Sequence, residues 1–141
     1  MPCGKWFAYF QGMWDMKSIL IVDDEASVRE SLAPILESDE VVVNGASSAA
    51  EAEEILREQK FDLVITDLRL GGTLGTEGLD LISRIKELEP STQVVLMTAF
   101  GSREVEMEAR RRGASDYWKK SMLIPELISR VRALGIPIGH K

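Results

Sequence analysis

Residues 18–24 read Ser18-Ile19-Leu20-Ile21-Val22-Asp23-Asp24. An aliphatic run with no polar alternation makes a strand covered on both faces, as in a parallel sheet flanked by helices. The two aspartates follow at once, so this strand delivers carboxylates at its carboxyl end. From here the chain alternates short β-rich runs with helical periodicity. A helix is expected over 26–38, with Val28, Leu32, Ile35 and Leu36 inward and Pro34 weakening one turn. Strand 41–43 and helix 49–59 follow, the helix turning Ala52, Ile55 and Leu56 inward. Ser47 or Ser48 caps that helix, since Glu51 stands in capping-box register with Ser48. Strand 61–66, helix 78–88 (Leu79, Ile82 and Ile85 inward), strand 94–97, helix 102–112, strand 115–118 and helix 125–134 complete the series. The tail 135–141 is expected to fray. Five βα units without consecutive hairpins imply one α/β domain with a parallel sheet, right-handed crossovers and helices on both faces.

Composition narrows the function. The chain has 141 residues, 17 Lys+Arg against 23 Asp+Glu, and a formal charge of −6, which argues against non-specific binding to nucleic acid. Its one cysteine (Cys3) and one histidine (His140) exclude an internal disulfide framework, a Cys-rich zinc site and a His-based triad. No apolar run approaches the roughly 20 residues of a membrane span, so a cytoplasmic domain is expected. Residues 1–15 hold five of the nine aromatics yet show neither periodicity. Tyr9-Phe10-Gln11-Gly12 looks like the remnant of an engineered protease-tag site, with a natural start at Met13 or Met16. The expected division is therefore 1–15 as a tag or disordered arm and 16–141 as the domain; the competing reading is an aromatic arm that packs on the domain or a partner.

In open α/β sheets the functional crevice lies beyond the carboxyl ends of the strands. Those ends are polar in a concerted way. The first strand leads into Asp23-Asp24, the third into Asp67, the fourth into Thr98 and the fifth into Lys119-Lys120. Any one of these could be ordinary loop polarity; their convergence on one rim is not. Two carboxylates about 5 Å apart repel by roughly 3 kcal/mol at an effective dielectric near 20. Such a cluster calls for a hard divalent cation with oxygen ligands, Mg²⁺, which would also neutralise a phosphoryl group delivered beside it.

Four blocks carry a family resemblance. Ile21-Val22-Asp23-Asp24-Glu25, the run from Asp62 to Arg69 (DLVITDLR), Met97-Thr98-Ala99-Phe100-Gly101 and the run from Gly113 to Lys120 (GASDYWKK) resemble, in order and spacing, the signature blocks of response-regulator receiver domains. The resemblance spans about 17–134. It implies a flavodoxin-like (βα)5 fold with strand order 2-1-3-4-5. It further implies that Asp67 is the phosphoacceptor, charged by a sensor histidine kinase or phosphotransfer protein. Asp24, Asp67 and the backbone carbonyl of Arg69 would ligate Mg²⁺, Asp23 assisting. Thr98 and Lys120 would bind phosphoryl oxygens, and Tyr117 would be the aromatic that turns inward when Thr98 moves. The implied output surface is the fourth helix, fifth strand and fifth helix, offered to an output domain, a separate protein or a second copy as a homodimer. No membrane contact and no direct nucleic-acid binding are implied for this domain, which would catalyse only its own phosphoryl transfer and dephosphorylation.

Two departures stand out. Ser121 follows Lys120 where the family usually has a cis proline. A cis bond before a non-proline residue costs about 3–4 kcal/mol, so a trans bond with Lys120 slightly displaced, or a strained cis bond, is expected. The loop 70–78 is longer than usual and glycine-rich (Gly71, Gly72, Gly75), a flexible flap beside the acceptor. Arg69 and Phe100 flank the site. In the fourth helix Glu106–Arg110 and Glu108–Arg112 are i,i+4 pairs, and the inward stripe is reduced to Val105, Met107 and Ala109. Two other classes compete: a receiver-like interaction domain that is not phosphorylated, and a Mg²⁺-dependent phosphatase of the haloacid-dehalogenase type. The latter wants a carboxylate two residues past the nucleophile, where this chain has Arg69.

Overall fold

Each apolar run becomes a strand of one five-stranded sheet in the computed structural model, which describes residues 16–71 and 75–138. The strands are β1 (Lys17–Val22), β2 (Val41–Ala46), β3 (Leu63–Thr66), β4 (Gln93–Thr98) and β5 (Asp116–Lys119). Their spatial order is β2-β1-β3-β4-β5, the order implied by the family resemblance. All pairings are parallel. Val22 lies opposite both Ala46 and Thr66, and Thr98 opposite Lys119, so the strands end on a common rim. The connecting helices are α1 (Ala26–Leu36), α2 (Ala49–Glu58), α3 (Glu77–Leu88), α4 (Arg103–Arg111) and α5 (Ile124–Ala133).

Side chains alternate across each strand, so the sheet feeds two cores. Leu20, Val22, Val64, Val94 and Leu96 pack with α2, α3 and α4. Ile19, Ile21, Leu63, Ile65, Val95 and Trp118 pack with α1 and α5. β3 and most of β4 are buried from end to end, which is why their sequences show no polar alternation. Pro34 stands inside α1, where it has no N–H to give the Glu30 carbonyl, and the helix ends two residues later, at Leu36. Ser48 caps α2 by accepting from the Glu51 N–H at 3.1 Å, while the Glu51 carboxylate reaches one residue further back, to the N–H and hydroxyl of Ser47.

Two expectations fail. Met107 is 61% exposed and does not join the inward stripe of α4. It lies two residues from Val105 and from Ala109, about 200° around a helix, so only those two turn toward the sheet. The tail is not frayed over 135–138: Ile136 and Ile138 are buried beside Leu36 and Val131. Its path is fixed by Arg132 Nε donating to the Ile138 carbonyl (2.8 Å) and by Gln93 Nε2 donating to the Leu134 carbonyl (2.7 Å). Apolar burial with polar anchors outweighs the entropy that frays a chain end. The expected arm 1–15 and the residues 139–141 lie outside the described residues.

Candidate functional site

The rim gathers the predicted carboxylates. Asp23, Asp24 and Asp67 each present an oxygen within 4.8 Å of the others. Asp23 and Asp67 are buried and Asp24 is exposed, so the cluster opens on one side to solvent. The sheet ladder fixes the backbone beneath them: the Asp23 N–H donates to the Ala46 carbonyl and the Asp67 N–H to the Val22 carbonyl, both at 3.0 Å.

Lys120, the residue after β5, closes the cluster. Its Nζ lies 2.8 Å from both Asp67 Oδ2 and Asp23 Oδ2, with Glu25 Oε1 at 3.7 Å. Asp67 Oδ1 accepts from the Leu68 N–H at 2.6 Å, and Asp23 Oδ1 from the Glu25 N–H at 2.9 Å. Burial pushes the Asp23 carboxyl above its ordinary value, against the opposing pull of Lys120 and the Glu25 N–H. For Lys120, burial alone would lower the ammonium, but the bonds to Asp23 and Asp67 outweigh it and the net shift is upward. Three carboxylates less one ammonium leave two negative charges around a set of hard oxygen donors. That donor set and charge fit a divalent cation such as Mg²⁺.

No cis bond occurs among the described residues, so the Lys120–Ser121 bond is trans. The Lys120 ammonium reaches both aspartates all the same, because the Lys120 main-chain N–H donates to the Thr98 carbonyl at 3.2 Å and extends the ladder past the end of β5. Thr98 is buried, and its hydroxyl accepts from the Phe100 N–H at 3.1 Å. Thr98, Gly101, Tyr117 and Lys120 share the wall of a cleft of about 330 Å³. The Tyr117 hydroxyl occupies the place of a side chain at Gly101: a Cβ there would sit 1.4 Å from it and 3.1 Å from the Thr98 methyl. Burial raises the Tyr117 phenol above its ordinary value, and Glu106 adds to that. Lys119 is exposed; it also borders this cleft, but Lys120 is the lysine that reaches the aspartates.

Three features were not legible as site elements. Arg69 lies over the Phe100 ring at 4.1 Å, so the two residues expected to flank the site form one cation–π pair beside the acceptor. The Glu77 carboxylate accepts from the Leu70 N–H (3.2 Å) and the Gly75 N–H (3.3 Å), drawing together the borders of the long loop. Arg29, from α1, donates to the Asp23 carbonyl at 2.6 Å. The available signal for Arg29 was its place early in the helix after the aspartates, since helical side chains lean back toward the N-terminus.

Comparison with known proteins bears on the family and the fold. Residues 19–132 match the response regulator receiver domain family. The response regulator protein PilR of Pseudomonas aeruginosa is 37% identical over 115 residues, covering 82% of this chain but only 24% of PilR. Among solved structures, the beryllofluoride-activated NtrC4 receiver domain dimer is 28% identical with a TM-score of 0.77, covering 84% of this chain and 96% of that one. A response regulator protein from Burkholderia pseudomallei, solved with a phosphorylated aspartic acid, a calcium ion and citrate, is 27% identical with a TM-score of 0.72, covering 88% and 77%. No described helix is long and apolar enough to cross a membrane. On the strength of its family match and its rim of aspartates, the chain belongs to the response regulator receiver domains of two-component signalling.

Proposed function

We propose that Asp67 accepts a phosphoryl group from a phosphohistidine of a sensor kinase or phosphotransfer protein. The observation that carries this reading is the Asp67 carboxylate held between the Leu68 N–H and the Lys120 ammonium, beside two further carboxylates. One Asp67 oxygen attacks phosphorus, the P–N bond breaks, and its electron pair returns to the imidazole nitrogen, which takes up a proton. Asp23, Asp24 and Asp67, with the Arg69 main-chain carbonyl, would hold Mg²⁺, which when bound neutralises charge on the phosphoryl oxygens. Lys120 is already poised over Asp67, and its ammonium can pass from the carboxylate to a phosphoryl oxygen without leaving the site. The Thr98 hydroxyl can exchange the Phe100 N–H for a donor role toward another phosphoryl oxygen.

A new dianion beside Thr98 would disturb the cleft that Thr98 shares with Tyr117 and Lys120, and through it the face made by α4, β5 and α5. That face would meet an output domain, a separate protein or a second copy of the chain, in the cytoplasm where a histidine kinase delivers its phosphoryl group. The NtrC4 receiver, solved as an activated dimer, makes the second copy a natural candidate.

Incubation with acetyl phosphate or phosphoramidate and Mg²⁺ is expected to add one phosphate, seen by intact mass, that resists acid and is lost in base. Asp67→Asn abolishes the adduct, and Lys120→Ala slows its formation on the order of 100-fold, the weight of one well-placed charge on a reacting oxygen. A wild-type protein that stays unmodified would favour a receiver-like interaction domain. Persistence of the adduct in Asp67→Asn would reassign the acceptor.

A further inference from the structure

We infer that Arg29 is a positioning residue for the metal site, acting through the Asp23–Asp24 peptide, and that Gly45 exists as the cut-out that lets its side chain pass. The inference rests on the proposal above that the three aspartates hold Mg²⁺, and adds to it a residue outside the ligand set.

The three carboxylates are held unequally. Asp23 is fixed by Lys120 and the Glu25 N–H, and Asp67 by Lys120 and the Leu68 N–H. Asp24 accepts no hydrogen bond from the described residues, so among them only its main chain, which sets its Cα–Cβ direction, restrains it. The peptide leading into Asp24 is the one whose carbonyl accepts from Arg29 NH1 at 2.6 Å, a short charge-assisted bond. On its other side Asp23 is tied to the Ala46 carbonyl of β2. Arg29 therefore holds the otherwise unguided ligand by its backbone. To reach there, its stem crosses β2 at Gly45, where a Cβ would come within 3.2 Å of Arg29 Cδ and 3.5 Å of Nε. Gly45 is not in the left-handed region, so its missing side chain answers to this crossing and not to a turn.

A guanidinium this close to a cation site has two opposing effects, and their signs separate them. As a plain positive charge it weakens Mg²⁺ binding, so its removal would tighten the site. As a clamp it orients a ligand, and loss of such outer partners costs about 10–100-fold in metal affinity. Calorimetric titration of Mg²⁺ into the full chain, without phosphodonor, decides between them. Arg29→Ala is expected to weaken binding about 10-fold. Arg29→Lys, which keeps a charge and one donor, should recover most of the loss. Gly45→Val, which leaves Arg29 in the sequence but crowds its stem, should weaken binding in the same direction. Thermal midpoints in chelator are expected to stay close to wild type, marking the effect as one on the site and not on the fold.

Unchanged or tighter binding in Arg29→Ala, with wild-type binding abolished by Asp24→Asn, would overturn the positioning role and leave the metal site standing. Wild-type titration with no Mg²⁺ binding at all would overturn both.

Discussion

Lys120 touches two carboxylates that would otherwise face each other unshielded, and Asp23 is the one whose ionised form the fold resists. Its carboxyl is raised above the ordinary value, so between that value and the raised one the native state binds more protons than the unfolded chain. Stability then falls as pH climbs through that window. Asp23→Asn is accordingly expected to stabilise the metal-free domain at neutral pH and to lose that advantage below about pH 4, where the unfolded carboxyl too is protonated. Chemical denaturation in chelator at several pH values measures it; an advantage that grows toward acid would contradict the assignment. Gly101 gives a second test at this scale. Its backbone lies outside the left-handed region, so alanine there is opposed by side chains alone, chiefly that of Tyr117 and more weakly the Thr98 methyl at 3.1 Å. Gly101→Ala should turn the partly buried Tyr117 ring out, read as a changed ring environment by NMR, at a cost to stability of about 1 kcal/mol.

Among elements, α4, β5 and α5 are joined through Asp116. Its carboxylate accepts from Trp118 Nε1 (2.7 Å), the Tyr117 N–H (2.9 Å), Arg110 of α4 (3.2 Å) and Arg130 of α5 (3.0 Å). Burial by itself would raise this carboxyl, but the Trp118, Tyr117 and Arg130 bonds outweigh it and hold it below its ordinary value. The sign is opposite to that of Asp23: this stabilisation is present above the ordinary carboxylate range and is lost as pH falls through the depressed value. Asp116→Ala leaves the buried Trp118 indole without its acceptor and is expected to cost about 2 kcal/mol at pH 7 by urea denaturation, with a smaller difference in acid.

The rim residues were readable because strand runs and their trailing polar residues are local in sequence, and a parallel sheet carries them to one rim. Asp23, Asp24, Asp67, Thr98 and Lys120 all follow from that rule. Arg29 and the Arg69–Phe100 pair did not, since each depends on where a long side chain crosses to another element. Met107 was misplaced for a related reason: a short, polar helix offers too few apolar positions to fix its phase.

At the scale of the whole molecule, the core on the α1–α5 side is completed by the tail. Ile136 and Ile138 each bury their side chains there. Replacing either with alanine is expected to cost about 2–4 kcal/mol, as for other buried aliphatic residues. Thermal unfolding checks this, and a shift no larger than that of an exposed residue would show the segment to be loosely held.

Lys17 and Pro137 both lie against the segment that opens β2: the Lys17 N–H donates to the Glu40 carbonyl, and the Ser38 hydroxyl to that of Pro137. Both borders of the described domain thus emerge at the amino ends of the strands, about 20 Å, the length of a six-residue strand, from the aspartate rim. The molecule has a working end and a handle end. A fluorophore, a surface linkage or a fused protein attached at either border would sit a strand's length away from the aspartates and leave that rim uncovered.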